Sequence, residues 1–125
     1  MNKTLFKDKL KMLKKLIAIG LLSILLIACS KPLPVDKKDY VGTWLSADGR
    51  IHLNISSEGR LEYKNKQPNS STSVSAPITE FNGSSFSAGL GSLSTYFKVT
   101  QAPQQNADGT WTMTVDGHQL KKLDE

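Results

Sequence analysis

Arg50-Ile51-His52-Leu53-Asn54-Ile55-Ser56 is the stretch that decides the fold, because apolar and polar residues alternate along it without a break. Side chains of a β-strand point to opposite faces in turn, so the three aliphatic residues of this stretch share one face. The residues on either side, Asp48-Gly49 and Ser57-Glu58-Gly59, are typical of turns. The pattern therefore predicts a half-buried strand between two reversals of the chain.

Further strands are predicted on both sides of this one. The ranges 40–46 and 60–64 complete a three-stranded meander, because each is strand-like and adjoins one of the two turns. Near the end of the chain, 110–115 alternates Trp, Met and Val with threonines, and Asp116-Gly117 then turns the chain into 118–123. Both ends of the domain therefore read as antiparallel β structure.

The middle of the chain has a weaker pattern. Residues 68–96 contain nine serines, but Val74, Ala76 and Ile78 alternate with polar residues. The same holds for Phe86, Ala88 and Leu90, and 93–100 reads as a full strand. Pro77 lacks an N–H group, which predicts an edge strand or a bulge there. A serine-rich disordered linker is the alternative for 68–79.

These runs amount to seven or eight strands with turn signals at short intervals, and no helical period occurs from Tyr40 onward. We expect an all-β domain, a small antiparallel barrel or sandwich. The interior of such a small barrel holds its own side chains or one small ligand. The inward candidates are Trp44, Ile51, Leu53, Ile55, Tyr63, Phe86, Phe97, Trp111, Met113 and Val115.

The first 28 residues have a different composition from the rest. They hold six lysines and one aspartate, followed by 13 mostly apolar residues from Leu16 to Ala28. A positive flank, a short apolar core and a small residue at the cut are the layout of an export signal. Thirteen helical residues span about 20 Å, which is short for a bilayer of about 30 Å. Met12 opens a more compact signal, so translation from Met1 or from Met12 stays open.

Leu26-Ile27-Ala28-Cys29 closes that segment and resembles the lipobox of bacterial lipoproteins. The resemblance implies that 1–28 is removed as a signal peptide and that the Cys29 thiol carries a diacylglycerol. Cys29 is the only cysteine of the chain. Because the next residue is Ser30 rather than Asp, the resemblance implies a lipid-anchored protein of the outer membrane that faces the periplasm.

The segment 29–39 follows, with two prolines and mixed charge, and reads as a tether that reaches roughly 30 Å when extended. We therefore expect three parts. These are a signal peptide (1–28), a lipidated cysteine with its tether (29–39), and a β domain (40–125).

Gly42-Thr43-Trp44 at the head of the first domain strand resembles the Gly-x-Trp signature of lipocalins. The resemblance implies a lipocalin-like barrel. Large aromatic residues are the first candidates for binding a ligand or a partner, since they supply much apolar area. Those candidates are Trp44, Tyr63, Tyr96 and Trp111.

Charge and motif patterns exclude several classes of function. The chain from Cys29 onward holds ten basic and ten acidic residues, and nucleic-acid binding requires a basic folded domain. Two histidines, His52 and His118, read as solvated residues rather than metal ligands. No nucleophile elbow occurs, and the acidic residues lie mostly in turns, where aspartate caps its own backbone. We expect no catalytic residues, no metal and no cofactor.

Two hypotheses follow. The first is a non-catalytic envelope module that binds a protein or cell-wall partner, with the serine- and glycine-rich segment 69–94 as its contact surface. A periplasmic lysozyme inhibitor belongs to this class, since such inhibitors are small β-barrel lipoproteins and 94–98 has a weak similarity to their motif. The second is a lipocalin-type carrier of a small apolar ligand.

Overall fold

Nine antiparallel strands form the part of the chain that the computed structural model describes, residues 31–124. The leader and Cys29 lie outside that range. A 3-10 helix (Val35–Tyr40) comes first. The strands are β1 (Gly42–Ser46), β2 (Ile51–Ile55), β3 (Arg60–Gln67), β4 (Ser70–Asn82), β5 (Ser85–Leu90), β6 (Leu93–Phe97), β7 (Val99–Gln105), β8 (Trp111–Val115) and β9 (His118–Lys122).

The strands form one curled, barrel-like sheet in the order β6-β5-β4-β3-β2-β1-β9-β8-β7. The predicted all-β fold is therefore confirmed. The strand β4 carries the chain from one part of the sheet to the other, because its residues up to Pro77 pair with β3 and those from Ile78 pair with β5. A bulge lies between Ile78 and Glu80, next to the proline that predicted one.

The strands β6 and β7 run in the same direction, since every neighbouring pair in the sheet is antiparallel, and only Lys98 separates them. They are two halves of one strand that bends at Lys98. The first half pairs with β5 and the second with β8. Asp116 accepts the N–H of Lys98 at 2.9 Å, and the hydroxyl of Ser85 accepts the N–H of Val99 at 2.9 Å. These two hydrogen bonds bring the two ends of the sheet together. The single strand predicted over 93–100 therefore corresponds to β6 and the start of β7, with a bend at Lys98.

The core fills the space inside the curl. Trp44, Leu53, Leu61, Phe86 and Met113 are fully buried. Aromatic rings pack edge-to-face or stacked from Phe81 through Tyr40, Phe86 and Phe97 to Tyr63, with centroids 5.1 to 6.0 Å apart. Of the predicted inward residues, all are buried except Trp111, which is half-buried; Tyr40, Leu61, Ala76, Ala88, Val99 and Leu120 complete the core.

The segment before β1 is folded onto the domain. Leu33 packs against the core, and the carbonyl of Lys31 lies against Gly59. The 3-10 helix is held at the turn between β4 and β5, because the Tyr40 hydroxyl donates to the carbonyl of Ser84 and the Lys37 ammonium donates to that of Gly83, each at 2.8 Å.

The predicted tether over 29–39 therefore needs correction in its described part, because residues 31–39 lie on the domain rather than extending from it. The sequence pattern did not predict this packing, because Leu33 and Tyr40 are the two apolar side chains that attach the segment to the core. Two residues are too few to form a period.

A lysine in β9 contacts β1, β8 and the 3-10 helix at the same time. Lys122 lies opposite Trp44 in the register of β1 and β9, and its ammonium is 4.9 Å from the Trp44 ring and 5.0 Å from the Trp111 ring. The same ammonium donates to the carbonyl of Asp39 at 2.8 Å. A Cβ at Gly42 would meet the Lys122 side chain at 3.2 Å, and φ there is +141°, so glycine fits this position. We call this arrangement the Lys122 clasp.

Replacing Lys122 by methionine is expected to lower the free energy of unfolding by about 1 to 2 kcal/mol, because two cation–π contacts and a charged hydrogen bond are lost. The matched control is Lys121→Met, whose side chain is exposed on the opposite face. Urea denaturation measures both. Equal effects of the two substitutions would contradict the clasp.

Replacing Ser85 by alanine is expected to cost about 1 to 3 kcal/mol, because it leaves the buried N–H of Val99 without its acceptor. Ser84→Ala is the control, since Ser84 serves Tyr40 through its backbone carbonyl and keeps that role. Thermal unfolding followed by circular dichroism compares them. If Ser85→Ala left the unfolding temperature unchanged, the bend at Lys98 would not depend on this hydrogen bond.

Candidate functional site

A long stretch of the chain carries almost no charge. Between Lys66 and Lys98 the only charged residue is Glu80. This stretch forms β4, β5 and β6. A protein surface usually mixes both signs of charge, so an exposed region without either sign is a candidate contact surface.

The first half of β4 and the β5–β6 hairpin enclose a groove of about 340 Å³. The groove exists because β4 pairs with β5 only from Ile78 onward, which leaves the edge of Ser73–Ala76 apart from the hairpin. Serine hydroxyls and small aliphatic groups alternate in its lining. Its lining residues are Ser73, Val74, Ser75, Ala76, Ala88, Gly89, Leu90, Leu93, Ser94 and Thr95.

The hairpin beside this groove exposes apolar side chains. A two-residue turn, Gly91-Ser92, joins β5 to β6. Leu93 is 79% exposed, Leu90 59% and Tyr96 55%. Three of the five large hydrophobic residues exposed in the described part of the chain thus lie within seven positions. We call the groove and this hairpin together the neutral edge.

The two outer strands of the sheet differ in how their free edges are protected. The strand β7 carries Pro103, which has no N–H to offer, and its register with β8 shifts at two places. Proline and bulges both discourage pairing with another chain. The strand β6 pairs with β5 in one unbroken register and contains no proline and no charge. The edge of β6 is therefore open to a further strand.

Two aspartates in the hairpin turns accept hydrogen bonds from nearby groups of their own turns, as the sequence predicted. Asp48 accepts the hydroxyl of Ser46 at 2.6 Å and the N–H of Arg50 at 3.1 Å. Asp108 accepts the hydroxyl and the N–H of Thr110 at 2.6 and 3.0 Å. These hydrogen bonds lower the pKa of both carboxyl groups, because they favour the charged form.

The four aromatic residues predicted to bind a ligand or partner fall into three places. Trp44 and Trp111 meet around Lys122, where the first is fully buried and the second half-buried. Tyr63 is buried against Phe97, and burial raises the pKa of its hydroxyl. Tyr96 alone is well exposed, on the neutral edge. Cys29, the predicted lipidation site, lies outside the described residues.

Trp44, Tyr63 and Trp111 do not line any of five grooves on the described surface that could bind a ligand. These five grooves on the surface of residues 31–124 are open to solvent, and each is lined by other residues. Leu90 and Leu93 lie in the segment 69–94 that the sequence predicted as a contact surface, but the sequence did not single them out. The signal that could have singled them out is the uncharged run on both sides of Glu80.

Within residues 31–124, no three His, Cys, Asp or Glu side chains come together as a metal site. In the same range, no helix has both the length and the apolar character needed to cross a bilayer.

Comparison with known proteins adds no relative: no protein-family model, no curated protein and no solved structure matches this chain. The fold and the site therefore define the protein only as a small all-β domain of barrel-like form, in which the outer strand β6 is uncharged and has neither a proline nor a register shift.

Replacing Leu93 by serine is expected to change the free energy of unfolding by less than about 0.5 kcal/mol, because the side chain is already exposed. Leu120→Ala, in the fully buried core, is expected to cost about 2 to 5 kcal/mol. Guanidinium denaturation measures both. A large loss at Leu93 would mean that the hairpin is part of the core rather than a contact surface.

Proposed function

We propose that this protein is a lipid-anchored, non-catalytic binding module of the bacterial cell envelope, held to its membrane through Cys29 and presenting the neutral edge to a partner. The observation that carries the proposal is the lipobox at Leu26-Ile27-Ala28-Cys29, which ends in the only cysteine of the chain. An exported protein has little use for a lone free thiol, and lipidation gives this one a role.

The fold supports the proposal through the position of Lys31, the first residue that the structure describes. Lys31 already lies on the domain against Gly59. Two chain steps separate it from Cys29, which amounts to about 7 Å at full extension. A lipid on Cys29 would therefore hold the domain directly at the bilayer surface, rather than at the end of a tether of roughly 30 Å.

Two acyl chains or more would make that attachment effectively permanent, whereas a single chain binds a membrane only marginally. The partner of such a module lies within reach of the same membrane. An open, uncharged strand edge is suited to a partner that supplies main-chain hydrogen bonds and small apolar side chains.

The lipid can be tested directly because the chain has one thiol. In protein purified from membranes and denatured, Cys29 is expected to resist a maleimide–polyethylene glycol reagent, and the intact mass is expected to match residues 29–125 plus a diacylglycerol or more. The control Ser30→Ala leaves Cys29 in place and is expected to behave in the same way. Quantitative labelling of the thiol, or a mass that includes the leader, would contradict the proposal.

A further inference from the structure

We propose that the open edge of β6 pairs with β6 of a second copy of this chain, in antiparallel register about a two-fold axis at Thr95. The pairing would join two nine-stranded sheets into one continuous sheet. It names a partner for the neutral edge, but it does not depend on the lipid, since the edge is a property of the folded domain.

The hydrogen-bonding groups of β6 have the direction that this pairing needs. Leu90 and Leu93 face each other across a two-residue turn, which makes them a hydrogen-bonded pair. In an antiparallel ladder such pairs alternate with non-hydrogen-bonded ones, so Thr95 and Phe97 bond to β5. The N–H and C=O groups of Ser94 and Tyr96 then point away from β5, toward the open edge.

A two-fold axis at Thr95 brings these groups together in the right order. Ser94 of one copy lies opposite Tyr96 of the other, and the reverse, so the two pairs form four main-chain hydrogen bonds. Leu93 of each copy lies opposite Phe97 of the other on the inner face. The strand is thus complementary to itself, as an interface between identical subunits with two-fold symmetry requires.

The absence of charge favours a second copy as the occupant. A strand edge that carries lysine or glutamate near the axis would place like charges side by side in the dimer. Residues 81–97 contain no Asp, Glu, Lys or Arg. In addition, the exposed Leu90, Leu93 and Tyr96 lie along this strand and its turn, where a second copy would cover them.

Anchoring would strengthen the pairing without any new contact. Two copies held on one membrane face meet at a higher local concentration than free molecules, so a short interface suffices. The edge of β7 cannot serve in the same way, because Pro103 and two register shifts interrupt it.

The test is disulfide cross-linking of the full chain in its native membrane with Thr95→Cys. Opposite residues of a non-hydrogen-bonded pair have Cα atoms about 4.5 Å apart, which a disulfide can span. Mild oxidation is expected to convert most of this variant to a dimer. The matched control is Thr100→Cys, which is also exposed but lies on β7, and it is expected to give severalfold less dimer.

A second pair of variants distinguishes cross-linking through the proposed interface from cross-linking by random collision. Ser94→Lys in the Thr95→Cys background is expected to reduce the dimer severalfold by placing two ammonium groups near the axis. Ser87→Lys, on the same face but on the inner strand β5, is expected to reduce it less. Circular dichroism checks that all variants fold.

Equal cross-linking of Thr95→Cys and Thr100→Cys, or a Thr95→Cys adduct with a different protein, would overturn the inference. Failure of the lipid proposal would give a different cross-linking result. An unmodified Cys29 would form disulfide dimers even in the chain without an added cysteine. In that case the excess of Thr95→Cys over Thr100→Cys in a Cys29→Ser background still decides the inference.

Discussion

The pairing of β1 with β9, which the Lys122 clasp reinforces, is the constraint on which the rest of the structure depends. A sheet of nine strands that begins and ends in short segments would be left with weak edges at β1 and β9. The clasp joins these strands by placing one ammonium between the Trp44 and Trp111 rings and bonding it to the carbonyl of Asp39. The 3-10 helix is attached at the same place, because the Trp44 indole donates to the carbonyl of Tyr40. Ends that are far apart in the chain become one side of the barrel.

Closing the sheet at β1 and β9 moves its two open edges to β6 and β7, which are two halves of one bent strand. The bonds from Lys98 to Asp116 and from Val99 to Ser85 fix the bend. The edge of β7 is interrupted by Pro103, and that of β6 is not. Three of the five large hydrophobic residues exposed in the described part of the chain therefore lie beside the uninterrupted edge.

Local alternation predicted the strands around Ile51 and Trp111, because each side chain there faces either core or solvent. The bulge after Pro77 was predicted for the same kind of local reason, a missing N–H group. Three features could not be predicted. The bend at Lys98 depends on Asp116 and Ser85, which are distant in sequence. The far half of β7, with Pro103, has no apolar alternation. The docking of 31–40 depends on the side chains of Leu33, Lys37 and Tyr40, which contact the core and the turn between β4 and β5. In each case the deciding contact is between residues far apart in the chain, and a local pattern does not record it.

The curled sheet is joined at β1 and β9 and leaves the edge of β6 open to a further strand. Residue-resolved amide hydrogen exchange of the mature chain at several concentrations tests it most directly. The N–H groups of Val99 and Leu123, bonded to Ser85 and Thr43, are expected to exchange slowly at every concentration. Those of Ser94 and Tyr96 are expected to exchange fast when the protein is dilute and more slowly as it is concentrated. The account would be contradicted if Ser94 and Tyr96 were as protected as Val99 at the highest dilution, or if Val99 exchanged as fast as they do.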